Sequence, residues 1–367
     1  MERVEPVRMG LVGCGSNGQI HADGLAKLAQ DGLIDPVAAA DPDPAGRAAA
    51  GRNCRFGRLV ADPEEVLADP SIEAVMVCTP TRFHAELVGS AVAAGKAVMC
   101  EKPLCPDFAS VEALCAAVVS SGVVAQVGFQ SRFHPLYRYL VDQVRDRTWG
   151  GPMAYTLRDD QFFPTTDFVS GHSSWRQDPE LAGGGALLEH SIHAVDVLLW
   201  TFGPVHQVFA RTRNAFGYGV EDTAVLTIEH ESGVVGNLIS VFNGVVGREE
   251  RRLEVFFEQA TLELTSDFIV GAPEDSLLVQ LPGRPADRPD LASMREEAFH
   301  RMGLSRRDFL FYQYAADRTW ALAVRGRPAP AAGFADALAA HAVVEAAYRS
   351  AATGRPLGLS EVVGAGR

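Results

Sequence analysis

The chain has 367 residues, room for two domains at about 150 residues each, and its 47% hydrophobic and 22% charged composition excludes extended disorder, collagen-like repeats and a coiled coil. With 33 basic against 46 acidic residues the formal charge is -13, the wrong sign for a phosphate-backbone binder, so no nucleic-acid partner is expected. Asp, Arg, Gly or Pro interrupts every apolar run short of a membrane span, and no basic segment leads into an apolar stretch near Met1, so a cytoplasmic protein with no membrane partner is expected.

Val7 to Val12 is a short apolar run that predicts a buried strand, followed by a glycine-rich turn and a helix-compatible segment. Further strands are predicted at Pro36 to Ala40, Ala74 to Cys78, Ala97 to Cys100 and Val123 to Phe129, with helical patterns such as His84 to Ala94 and Phe108 to Ser121 between them. Strand and helix in alternation predict an α/β, doubly wound parallel sheet of the Rossmann kind over residues 1–129. From 130 to 367 the grammar changes. Alternating segments at Met153 to Arg158, Val205 to Thr212, Thr223 to Glu229, Val234 to Phe242, Leu253 to Phe257 and Ala260 to Thr265 predict an α+β domain with a large open, mainly antiparallel sheet. Glu231-Ser232-Gly233 predicts a hairpin turn, and Phe334 to Ser350 a helix ended by Gly354 and Pro356. The six cysteines, Cys14, Cys54, Cys78, Cys100, Cys105 and Cys115, form no CxxC pair and read as reduced core thiols.

Gly13, Gly15 and Gly18, with Ser16 and Asn17 between them, satisfy GxGxxG directly after a predicted strand and before a helix. That context predicts a dinucleotide pyrophosphate on a helix N-terminus. Asp41 closes the second strand, where an acid accepts hydrogen bonds from a ribose diol and repels a 2′-phosphate. NAD is therefore the expected cofactor, with Arg47 leaving NADP open. Lys102 follows the Ala97 to Cys100 strand, at the carboxyl end of a parallel sheet where ligands bind. Only Lys27, Lys96 and Lys102 are lysines in a chain that otherwise uses arginine, which marks Lys102 as a position where arginine does not serve.

Gly183, Gly184 and Gly185 open a predicted helix running to Trp200, on which Glu189, His193 and Asp196 share one face. The two carboxylates would fix the tautomer of His193 and raise its pKa for general-base work. His190-x-x-His193 beside Glu189 approaches metal spacing, but it is not HExxH, and no metal is expected.

Together these residues resemble the Gfo/Idh/MocA family, the glucose-fructose oxidoreductase and inositol dehydrogenase group. The resemblance runs nearly end to end. It takes in the glycine loop with His21, Cys78-Thr79-Pro80 leading to His84, Glu101-Lys102-Pro103, Gly128 to Phe133 with Gln130, the triple glycine with His193 and Asp196, and Glu221-Asp222. It implies an NAD(P)-dependent oxidoreductase acting on a secondary alcohol or ketone of a sugar, inositol or sugar derivative, with Lys102 and His193 catalytic. It also implies that Cys78, Thr79, Pro80, His84, Glu101 and Gln130 line the cofactor and that a homodimer or homotetramer forms through the second sheet. The family aspartate four residues before the histidine is Glu189 here, followed by His190 and Ser191, and Glu189 is expected to take its catalytic place. Arg132, Asp160, His172, Trp175 and Arg176 are expected at the substrate alongside Lys102, Glu189 and His193, with Arg132 or Arg176 facing a carboxylate if the substrate is an acid. Two alternatives stay open: a redox-neutral or glycoside-cleaving enzyme that retains its NAD, and a cofactor sensor without turnover.

Overall fold

The computed structural model describes residues 5–163, 174–245, 249–267, 269–327 and 331–363. The first sheet has six strands, β1 (Val7–Val12), β2 (Ile34–Ala40), β3 (Arg58–Val60), β4 (Ala74–Val77), β5 (Ala97–Cys100) and β6 (Ala125–Val127), and all of its ladders are parallel. Their spatial order is β3-β2-β1-β4-β5-β6, the doubly wound arrangement of a dinucleotide-binding sheet. β4 and β5 are buried at every position, which explains why they read as continuous apolar runs rather than alternating ones. The crossovers carry α1 (Ser16–Gln30), α2 (Pro44–Asn53), α3 (Glu64–Leu67), α4 (His84–Ala93) and α5 (Phe108–Ser121). Asp43 caps α2 by accepting from Ala45 and Gly46 N–H groups, with Pro44 at the first helical position. β3 was not predicted: two of its three residues are exposed, so it lacks the apolar signal of its neighbours.

The second sheet has eight strands in the order β13-β12-β11-β7-β10-β9-β8-β14. These are β7 (Pro152–Phe162), β8 (Val205–Arg213), β9 (Thr223–His230), β10 (Val235–Asn243), β11 (Glu249–Phe257), β12 (Thr261–Ser266), β13 (Ser276–Gln280) and β14 (Leu357–Gly358). Its ladders are antiparallel except for the central β7–β10 pair. Burial alternates along β9 and β10, so one face meets helices and the other is open.

The helices of this half are α6 (Pro135–Arg145), α7 (Pro179–Ala182), α8 (Ile192–Phe202), α9 (Leu291–Arg301), α10 (Gln313–Val324), α11 (Phe334–Thr353) and α12 (Ser360–Val363). α11 packs on β8, α8 and α5, and so bridges the two sheets. α10 comes from the 130–367 half. It returns to pack on α1, and Tyr314, Ala315 and Trp320 are buried in the same apolar cluster as Leu11, Leu25 and Met99. Among the described residues no helix is long and apolar enough to cross a membrane.

Candidate active site

The cofactor cradle begins where β1 ends. Gly13 has φ +94°, and a Cβ there would lie 2.6 Å from the Cys78 carbonyl group; at Gly18 it would lie 2.1 Å from Gly13 O. Only glycine lets β1, the turn and α1 approach so closely. At Gly15, by contrast, a Cβ would meet nothing within 4 Å, so the loop is open on that side. No side chain caps the N-terminus of α1 and its first turn holds no acid, which leaves the positive end of the helix aimed at an anion beside Ser16, Asn17 and Gly18. The Asp41 carboxylate accepts from Cys14 N at 2.7 Å and Asp43 N at 2.8 Å. The Arg47 guanidinium donates to the carbonyl oxygens of Asp41 and Pro42. At the far side, Thr79 Oγ1 and Gln130 Oε1 are buried polar atoms that meet no hydrogen-bond partner within the protein. A glycine cradle, a helix N-terminus, a ribose acid and two waiting polar atoms fit a dinucleotide.

Two residues expected against the cofactor serve as struts. His84 reaches Thr79 O at 2.8 Å and Pro103 O at 2.9 Å, so it ties the loop after β4 to the loop after β5. Burial holds its pKa below the ordinary imidazole range. Glu101 is 5% exposed and directs its carboxylate to His21 Nε2, at 3.0 Å, and to the N–H of Lys102, at 3.1 Å.

Lys102 extends from this loop toward the second domain. Its ammonium donates to the backbone carbonyl oxygen of Glu189 at 2.6 Å and lies 3.7 Å from Glu189 Oε1. Arg176 Nε donates to the same carboxylate oxygen at 2.7 Å, while its guanidinium stacks on Trp175 at 4.6 Å. Burial alone would raise the Glu189 carboxyl, but Lys102 and Arg176 outweigh it and hold the pKa at about 2. Glu189 is an anion bracketed by two cations.

The predicted single helix from the glycines to Trp200 is two pieces. Ala186–His190 forms a π-turn, Ser191 breaks it, and α8 starts at Ile192. The π-turn departs from the regular α-helical spacing on which the one-face reading of Glu189, His193 and Asp196 rests. Glu221 holds the turn in place, accepting from Gly185 N at 2.7 Å, Leu187 N at 3.0 Å and Tyr348 Oη at 2.8 Å. Gly185 is required there, because a Cβ would lie 1.8 Å from Glu221 O.

His193 is 2% exposed, with its ring edge-on to Phe129 at 6.0 Å between centroids. Contrary to expectation its pKa falls well below the ordinary value, because burial, then Lys102, Arg251 and His190, all disfavour the imidazolium. The Asp196 carboxylate is gripped by Arg132, Nε to Oδ2 at 2.9 Å and a terminal nitrogen to Oδ1 at 2.6 Å. The other hydrogen bonds of Arg132 go to Asp336 and Ala331 O, so the structure gives it a structural ion pair in addition to the substrate role expected from the sequence.

Asp160 and its neighbour Asp159 face opposite sides of the second sheet. Side chains alternate along β7, and Asp160 falls on the face of Arg158, whose Nε donates to it at 2.8 Å. Its neighbour Asp159, 0% exposed, faces the π-turn instead and meets His190 Nε2 and Arg251 Nε, each at 2.9 Å. This Asp159–His190–Arg251 cluster was not foreseen; its His190 lies between the two departures from the family pattern, Glu189 and Ser191. Ser191, the second departure, donates to Ser240 Oγ at 2.7 Å. His172 lies outside the described residues. Among those described, no group of three or more His, Cys, Asp or Glu side chains is arranged to hold a metal.

Comparison with known proteins agrees with this geometry. Residues 7–129 match the oxidoreductase family model with an NAD-binding Rossmann fold, and residues 137–263 match the GFO/IDH/MocA C-terminal domain. Inositol 2-dehydrogenase 4 of Saccharopolyspora erythraea is 30% identical over 268 residues, 71% of this chain and 74% of that protein. The chain belongs to the Gfo/Idh/MocA family. It is an NAD(P)-dependent oxidoreductase. Inositol 2-dehydrogenase 2 of Paenarthrobacter aurescens aligns over 94% of this chain and 96% of its own length at 28% identity. In fold, the chain is similar to the WlbA dehydrogenase from Bordetella pertussis in complex with NADH and UDP-GlcNAcA. The TM-score is 0.82 at 22% identity, over 96% of this chain and 98% of that one.

Proposed function

We propose that the protein moves a hydride between NAD and a secondary alcohol or ketone of a sugar, an inositol or a related polyhydroxy compound, with Lys102 and His193 at the reacting oxygen. The observation that carries the reading is the meeting of Lys102 with the π-turn. An ammonium from the cofactor domain is fixed at the Glu189 carbonyl, four residues ahead of a buried imidazole whose proton affinity it lowers. The inositol dehydrogenase names of the relatives support the polyol class.

In this reading the Gly13, Gly15, Ser16, Asn17 and Gly18 turn holds the pyrophosphate, Asp41 the ribose, and Cys78, Thr79, Pro80 and Gln130 border the nicotinamide side. The bound nicotinamide supplies the hydride acceptor for oxidation and the donor for reduction. His193, neutral because it is buried among cations, takes the hydroxyl proton. Lys102 hydrogen-bonds the same oxygen and stabilises the negative charge that develops there. Glu189 positions both Lys102 and Arg176, and the Trp175–Arg176 pair offers an aromatic face and donors to a sugar ring. Asp41 favours NAD over NADP, since a 2′-phosphate would meet its carboxylate.

We further place the protein in the cytoplasm as a homodimer or homotetramer. The open face of the second sheet exposes Val225, Val235 and Ile239, an apolar surface suited to a second copy. Light scattering checks this. The activity is tested by initial rates with inositols, aldoses and sugar acids against NAD and NADP, read at the nicotinamide absorbance. NADH formation with a polyol supports the reading; NAD binding with no turnover on any member contradicts it.

A further inference from the structure

We propose that Asp317, on α10, is a positioning residue for Lys102 that acts through His21 and Glu101. The proposal rests on the reading that Lys102 bears on the reacting oxygen. His21, on α1, places Nδ1 2.9 Å from both carboxylate oxygens of Asp317 and Nε2 3.0 Å from Glu101 Oε1. Glu101 Oε2 then accepts the Lys102 N–H at 3.1 Å. His21 and Asp317 are 0% exposed. The chain of contacts runs Asp317, His21, Glu101, Lys102, and its last member ends on the Glu189 carbonyl.

Burying two carboxylates and an imidazole is costly, and an apolar set of the same volume would hold α1 against α10 at least as well. That adhesion is already present, since Tyr314, Ala315 and Trp320 pack with Leu25 and Leu28. What the charged set adds is direction. Glu101 meets His21 with one carboxylate oxygen and the Lys102 N–H with the other, and Gly128 makes room for it: a Cβ there would lie 2.5 Å from Glu101 Oε1. Lys102 is then fixed at its backbone by Glu101 and at its tip by Glu189, which leaves the ammonium little freedom to swing.

With Asp317 and Glu101 both ionised, His21 donates from both nitrogens, which only the imidazolium does. Burial lowers its proton affinity, but Asp317 and then Glu101 outweigh this and carry the pKa to about 10. The other ionisable groups near it are Cys78, whose thiol is pushed up by burial and by Glu101 and Asp317, and Lys102 beyond Glu101.

The test is Asp317→Asn, which keeps an acceptor for Nδ1–H and removes the charge. With it gone, His21 releases its proton within the working range and the grip on Glu101 is lost. kcat should fall about 10- to 100-fold, the scale of a small misplacement of a reacting group. KM for NAD should change little, and kcat should decline as pH rises from about 7 to 9, a limb absent in wild type. Asp317→Glu should recover most of kcat. A clamp without a positioning role would lower the melting temperature and leave kcat and its pH profile alone; that result for Asp317→Asn overturns the proposal. If Asp317→Asn does not fold, the wild-type protein labelled at histidine decides. One ring should remain doubly protonated in its 15N spectrum at about pH 8.5, and the absence of such a ring overturns the proposal. Wild-type turnover in Lys102→Ala would sink the underlying reading. An inactive Lys102→Ala beside an unaffected Asp317→Asn sinks only this inference.

Discussion

The ammonium of Lys102 donates to the backbone carbonyl oxygen of Glu189 across 2.6 Å, joining the loop after β5 to the π-turn that precedes His193. A backbone oxygen holds this contact whatever the side chain at 189, so the Glu189 carboxylate can be changed without releasing the lysine. Its separate task is to neutralise Lys102 and Arg176.

Glu189→Gln should therefore lower kcat/KM about 10-fold or more, on the scale of about 1.5–3 kcal/mol for a hydrogen bond to a charged group. Glu189→Asp, which restores the family residue, should keep more activity than the amide. Steady-state kinetics of the two variants check this, and equal losses would count against a role for the charge.

The pH profile follows from the two shifts at this site. His193 is neutral across the neutral range, so kcat/KM should show no acid limb at the ordinary imidazole value of 6.5, and the fall should come at lower pH. An acid limb at 6.5 or above would contradict the geometry. Glu189 sets a matching trend in stability. Its folded pKa, about 2, lies below the ordinary 4.5, so its contribution is complete above 4.5 and is lost as pH falls toward 2.

Asp196→Asn removes the partner of a buried arginine rather than a partner of His193. Breaking such a pair costs about 3–5 kcal/mol, so the melting temperature should drop by several degrees while the folded enzyme keeps most of its kcat. Calorimetry and initial rates together decide. Loss of kcat without loss of stability would return Asp196 to the catalytic set.

Asp41→Ala should raise the NADP-to-NAD ratio of kcat/KM, because it removes the charge that a 2′-phosphate would meet. Unchanged preference would place the discrimination elsewhere.

The legible parts of the sequence were those governed by local pattern. β1 and β5 begin and end as predicted because uninterrupted apolar runs bounded by Gly or Pro have one reading. The same reasoning fails across Gly183 to Trp200, where apolar spacing does not distinguish a π-turn from a continuous helix. On β7 the sequence offers two adjacent acids, Asp159 and Asp160, with no sign of which one meets the π-turn. Nor could it pair His21 with Asp317, 296 residues apart, or Arg132 with Asp196, because charged partners joined by tertiary packing leave no spacing to read. α10 and its place on α1 were invisible for the same reason.

The most direct measurement compares Lys102→Ala and His193→Ala with wild type for both NAD affinity and turnover on a polyol accepted by the wild-type enzyme. Each variant should bind NAD nearly as wild type does and lose turnover by at least about 100-fold, the low end of what a positioned acid or base contributes. Wild-type turnover in both would contradict the assignment of these two side chains to the reacting oxygen.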